Sequence, residues 1–150
     1  MNTIKHANIL HRDLKLQNIM IHFTNLEPQK LLDPNFDLNK YVRNCPFDEN
    51  LVCKITDLGI SRKLEVDQLA GSSCGTITFM APEVLGGNLY GHKADVWSFG
   101  VLFFQMITGF LPFDGDNMID FIEKLKQGKY EIPQKLNLSN RCLDFLQKCL

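Results

Sequence analysis

Three side chains able to do chemistry together fall inside one octet near the start of this 150-residue chain. The octet is His11-Arg12-Asp13-Leu14-Lys15-Leu16-Gln17-Asn18, and the three are Asp13, Lys15 and Asn18. A carboxylate can orient or deprotonate a hydroxyl nucleophile, and an ammonium can neutralise a phosphoryl oxygen. A carboxamide oxygen can ligate a hard cation such as magnesium. Any three-residue piece of the octet reads equally well as a polar surface turn; the whole set, bracketed by apolar residues, does not. A second carboxylate, Asp57, closes the alternating stretch Leu51-Val52-Cys53-Lys54-Ile55-Thr56 and is followed by Leu58-Gly59. Alternation predicts a strand ending in a metal ligand and a residue free to turn. A partner strand over 18–22 (Asn-Ile-Met-Ile-His) would bring Asn18 and Asp57, two oxygen ligands, to one end of a hairpin.

The elements that must position these residues come from an ordinary globular composition, 45% hydrophobic with a net charge of -1. That is enough for one core and not for two large ones. Near-neutral charge offers no electrostatic case for nucleic acid or an anionic membrane as partner. The five cysteines (Cys45, Cys53, Cys74, Cys142, Cys149) are odd in number and include no C-x-x-C pair. They read as reduced thiols of a cytoplasmic or nuclear protein. The opening residues do not form a signal peptide. Residues 96–113 carry no charge, but Ser98, Gln105, Thr108 and Gly109 interrupt them, and Asp95 and Asp114 bound them. That pattern fits the central helix of a soluble domain better than a membrane span.

In chain order, residues 1–10 suggest the last turn of a helix and a short apolar strand at Ile9-Leu10. Residues 23–50 carry two Pro-containing turns and no helical or strand period, and are expected to be a mostly disordered insertion, with an ordered docking element as the alternative. A helix is predicted over 95–108, ended by Gly109. An amphipathic helix is predicted over 116–128 with Ile119, Ile122 and Leu125 inward, ended by Gly128. Ser139 is the expected N-cap of a last helix that turns Leu143, Leu146 and Leu150 inward.

Four stretches now stand in a telling order: HRDLKLQN at 11–18, DLG at 57–59, CGTITFMAPE at 74–83 and DVWSFG at 95–100. Together they resemble the catalytic domain of eukaryotic protein kinases, and the octet fits that family's His-Arg-Asp-Leu-x-x-x-Asn loop at every specified position. The resemblance spans essentially the whole chain except 23–50 and is to the C-terminal lobe alone, so it implies a mainly α (α+β) fold with short β-hairpins around the catalytic loop. It implies Asp13 as catalytic base or orienter, Lys15 on the γ-phosphate of ATP, and Asn18 and Asp57 on Mg2+. His11 and Leu58 would stack in an apolar spine, Leu58 replacing the family's usual Phe with little effect on the metal site.

By the same resemblance residues 60–83 are the activation segment. Ser72 or Ser73 would take an activating phosphate from an upstream kinase and pair it with Arg12. Thr76 would contact Asp13 and Lys15, which favours Ser/Thr over Tyr as acceptor in a protein substrate. Glu83 would be half of a buried ion pair whose arginine is not in the chain, and Asp95 would hold the backbone of the His-Arg-Asp turn. The segment and residues 109–138 look most like the calcium/calmodulin-dependent and autophagy-type Ser/Thr groups.

No glycine-rich phosphate loop, strand lysine or pairing helix glutamate occurs in the 150 residues. The reading is therefore a partial Ser/Thr protein kinase domain, a fragment expected to be inactive by itself for want of the N-lobe. The alternative is a catalytically inactive kinase-like binding or scaffold module.

Overall fold

The computed structural model describes residues 11–45, 51–57, 77–88 and 91–150. Its elements are β1 (Ile19–Phe23), α1 (Leu38–Asn44), β2 (Leu51–Ile55), α2 (Pro82–Leu85), α3 (His92–Thr108), α4 (Met118–Gln127) and α5 (Asn140–Cys149), with 3-10 turns at Leu16–Asn18, Pro28–Leu32 and Gln134–Leu136. Among the described residues the fold is mainly helical, with one two-stranded antiparallel sheet. It divides into a larger unit, Met1–Asn18 with Asp57–Leu150, and a smaller one, Ile19–Thr56.

Helix α3 is the axis of the larger unit. It begins at His92, three residues before the predicted start, and stops where Gly109 turns left-handed at φ 80°. A residue without Cβ adopts that conformation without penalty, and the Gly109 N–H closes the end on the Gln105 carbonyl at 2.9 Å. Ala94, Asp95, Ser98, Gly100, Val101, Leu102 and Phe104 are all buried, which is why the run reads as apolar nearly all round. No helix among the described residues is long and apolar enough to cross a membrane.

Against α3 sits a core of Ile77, Phe113, Phe121 and Leu125. The indole of Trp97 stacks on Phe113 at 5.6 Å, and Tyr130 meets Phe104 and Phe113 edge-on at 5.5 and 6.0 Å. Helix α4 is capped by Asn117, whose side chain accepts from the N–H groups of Ile119 and Asp120. Gly128 ends it at φ 62°, as expected. Its inward face differs from the sequence reading: Phe121 and Leu125 are buried, whereas Ile119 is 72% exposed. The aromatic ring fills more core than an isoleucine two residues earlier, so the helix turns Phe121 in and leaves Ile119 out. Helix α5 has the expected cap, Ser139 accepting from the Cys142 N–H, and buries Leu146 completely while Leu143 stays 38% exposed.

In the smaller unit β1 and β2 pair antiparallel with Ile19 opposite Ile55 and Phe23 opposite Leu51. Within the predicted insertion, residues 24–45 build a 3-10 turn opened by Pro28 and the helix α1 capped by Asp37; residues 46–50 lie outside the described residues. Tyr41 ties this helix to the strand, edge-on to Phe23 at 5.5 Å and tilted against Phe36 at 5.7 Å.

Gly100 marks the closest approach of α3 and α5. A Cβ there would lie 2.6 Å from the Cβ of Cys149, so G100A should cost roughly 1–3 kcal/mol in urea unfolding by overpacking. An unchanged midpoint would refute this contact. Burial also pushes the Cys149 thiol above its ordinary range, leaving less thiolate at any given pH. Cys149 should therefore be alkylated by iodoacetamide at pH 8 more slowly than the exposed Cys53; equal rates would argue against the packing of α5.

Candidate active site

The octet is held open from below by one carboxylate. Asp95, 4% exposed in the first turn of α3, accepts the His11 N–H on Oδ2 at 2.8 Å and the Arg12 N–H on Oδ1 at 2.9 Å. Arg12 needs that grip, because its backbone is left-handed at φ 68°. Such a conformation costs a non-glycine residue on the order of 1 kcal/mol and survives where surrounding bonds enforce it. His11 is fully buried and Leu14 is 2% exposed, anchoring the turn on both sides of Asp13. The Asp13 N–H faces Nδ1 of His11 at 3.4 Å, a weak contact.

Asp13 is thereby presented at the surface with its two oxygens in different roles. Oδ2 forms an ion pair with the Lys15 ammonium at 2.8 Å and accepts from Asn18 Nδ2 at 3.0 Å. Oδ1 has no partner among the described residues. The same Asn18 nitrogen donates to the Asp13 carbonyl at 2.7 Å, and the Asn18 N–H bonds the Lys15 carbonyl at 3.0 Å to close the 3-10 turn. Lys15, Asn18 and Asp13 thus form one hydrogen-bonded knot, the three residues that the sequence singled out.

Asn18 directly precedes β1 and Asp57 lies two residues past the end of β2. Ile19 is opposite Ile55, so Asn18 and Asp57 adjoin the same end of the strand pair. Asp57 is exposed and left-handed at φ 55°, which an aspartate tolerates better than most residues. With its nitrogen engaged on Asp13, the Asn18 carboxamide has its oxygen as the cation-ligating end. Two oxygen donors suit Mg2+, which keeps waters and takes phosphate oxygens to complete its octahedron. Among the described residues no three His, Cys, Asp or Glu side chains gather as a metal site in their own right.

Thr76, Ser72, Ser73 and Leu58 lie outside the described residues. Description resumes at Ile77, and there the structure supplies a tie that motif reading missed. The Ser98 hydroxyl, buried, lies 2.8 Å from the Phe79 carbonyl and 3.1 Å from that of Ala94. A serine inside an otherwise apolar helix was the available signal. Glu83 corrects an expectation: it is half-buried and has no ion-pair partner among the described residues. Partial hydration lowers the cost expected of a buried, unpaired carboxylate.

The whole of this chain is similar to one family of known proteins. A sequence model described as the protein kinase domain matches residues 1–150. Calcium-dependent protein kinase 4 of Plasmodium falciparum is 32% identical over 145 residues, 95% of this chain and 23% of the relative. Sucrose non-fermenting protein kinase 1 of Fusarium virguliforme is 35% identical over 131 residues, 87% of this chain and 15% of the relative. Serine/threonine-protein kinase ATG1b of Arabidopsis thaliana is 31% identical over 152 residues, covering 100% of this chain and 18% of the relative. The chain belongs to the protein kinase domain family. It spans less than a quarter of the length of these relatives.

Replacing Asp95 by Ala would strand two backbone N–H groups and release the left-handed turn. The expected loss is roughly 2–4 kcal/mol of stability, with faster amide exchange at His11 and Arg12 than elsewhere. Uniform exchange rates, with no local excess at those two amides, would sink this account.

Proposed function

We propose that these residues form the lower half of a protein Ser/Thr kinase site that moves the γ-phosphoryl group of ATP to a protein hydroxyl. The observation that supports this most is the division of labour on Asp13, whose Oδ2 is held by Lys15 and Asn18 while Oδ1 remains for a substrate O–H. Asp13 orients the hydroxyl and takes its proton as the new O–P bond forms and the bond to the ADP oxygen breaks. The ammonium of Lys15 offsets charge on the transferred phosphoryl oxygens. Asn18 and Asp57 hold the metal ion, and ATP with Mg2+ supplies the activated phosphoryl group when bound. Lys15 and Thr76 favour Ser/Thr as acceptor, and an upstream kinase acting on Ser72 or Ser73 orders the activation segment through Arg12.

Five cysteines, odd in number and without a C-x-x-C pair, support the cytoplasm or nucleus as the setting of this activity. The 150 residues contain no glycine-rich loop to grip ATP from above, so this stretch by itself should not transfer phosphate. The second reading is a kinase-like binding module without catalysis.

Radiolabel transfer from γ-labelled ATP to a generic protein substrate separates the two readings, using the 150 residues together with whatever coding sequence adjoins them. Asp13→Asn should lower transfer by roughly 10²–10⁴-fold, and Ser72→Ala with Ser73→Ala should lower activity and phosphate content together. Transfer that survives Asp13→Asn would defeat the catalytic reading. Transfer by the 150 residues by themselves would defeat the expectation that they are inactive.

A further inference from the structure

The smaller unit contains a groove that the catalytic reading does not use. It is an open, shallow groove of about 730 Å³ lined by Asp33, Asn35, Phe36, Asp37, Lys40 and Tyr41, among others. All of these belong to the inserted stretch between β1 and β2. Each carboxylate is fixed by one oxygen only. Asp33 Oδ1 accepts the Asn35 N–H at 2.9 Å and Asp37 Oδ1 accepts the Lys40 N–H at 2.9 Å. Their second oxygens carry no hydrogen bond among the described residues. The same holds for the Asn35 carboxamide, the Lys40 ammonium and the Tyr41 hydroxyl.

We infer that this groove is a docking site for an extended protein segment that presents an arginine or lysine. Two carboxylates against one ammonium give the lining a net negative charge, which is complementary to a single cationic side chain. Both carboxylates are already oriented by turn and cap, so little ordering is needed to receive a guanidinium. The rings of Phe36 and Tyr41, tilted at 49° to one another, offer a face for the same cation. The Asn35 carboxamide matches the N–H and C=O of a peptide backbone in either direction. Outside the groove, Leu31, Leu32 and Leu38 are 53%, 83% and 44% exposed. Three leucines beside a charged groove are suited to an apolar residue flanking the basic one. The inference stands whether or not Asp13 is catalytic.

The test uses the whole chain and two pools of fluorescein-labelled short peptides, randomised except for a central Arg in one and a central Glu in the other. Anisotropy should rise with the Arg pool and not with the Glu pool, and the rise should weaken with salt. The double variant Asp33→Asn, Asp37→Asn keeps both backbone hydrogen bonds, since Asn serves the same turn and cap. It should weaken Arg-pool binding roughly tenfold or more while leaving the circular dichroism spectrum unchanged. Equal binding of the two pools, no binding of either, or binding indifferent to the double variant would each overturn the inference. So would saturation of the groove by a neutral oligosaccharide, or charge-dependent self-association in sedimentation, each of which would assign it another occupant.

Discussion

The interaction on which the site depends is the pair of hydrogen bonds from His11 and Arg12 to the Asp95 carboxylate. A left-handed arginine between a buried histidine and a surface aspartate is not a conformation the octet would hold unaided. Asp95 enforces it from the first turn of α3, where the helix dipole already favours a carboxylate. Three residues on, and so on the same face, Ser98 takes the Phe79 carbonyl. The two residues together fasten the octet and the segment around Phe79 to one buried helix. A site placed on so rigid a support keeps its geometry with little further ordering.

That support matters because the chemistry is a matter of oxygen-by-oxygen assignment. A carboxylate free to rotate would present an average of its two oxygens to a substrate. Asp13 cannot, since Lys15 and Asn18 both fasten Oδ2. Asn18 is pinned in turn by the Asp13 carbonyl, with the same nitrogen on the Asp13 carboxylate. Asp13 and Asn18 therefore orient one another. Phosphoryl transfer rests mainly on positioning and electrostatics, so mutual orientation of this kind is the contribution such a loop can make.

Much of this was legible in the sequence because it is local. The octet, the alternating strand Leu51–Ile55 and the caps at Ser139 and Gly109 are all written in short-range chemistry. What was not legible depends on partners distant in sequence. Periodicity could not choose between Ile119 and Phe121 for the core, because both fit an amphipathic helix and the choice is made by the space around Phe113 and Ile77. The helix α1 escaped notice for a related reason. Seven residues, Leu38–Asn44, are too few to show a period, and they are stabilised by the Asp37 cap and by Tyr41 packing on Phe23. Arg12 could not be recognised as left-handed from its identity, since its tertiary bond to Asp95 supports that state.

The hairpin also explains how a long insertion can be accommodated without altering the strand pairing. Phe23 and Leu51 are opposite one another at the far end of the strand pair, so residues 24–50 leave and return at a single place. Closing such a loop costs little more as it lengthens, about 0.6 kcal/mol for each doubling. The register at the near end, Ile19 with Ile55, is set by ladder hydrogen bonds and not by what the loop contains. Inserted residues are therefore free to acquire their own small aromatic core around Tyr41 and their own charged groove.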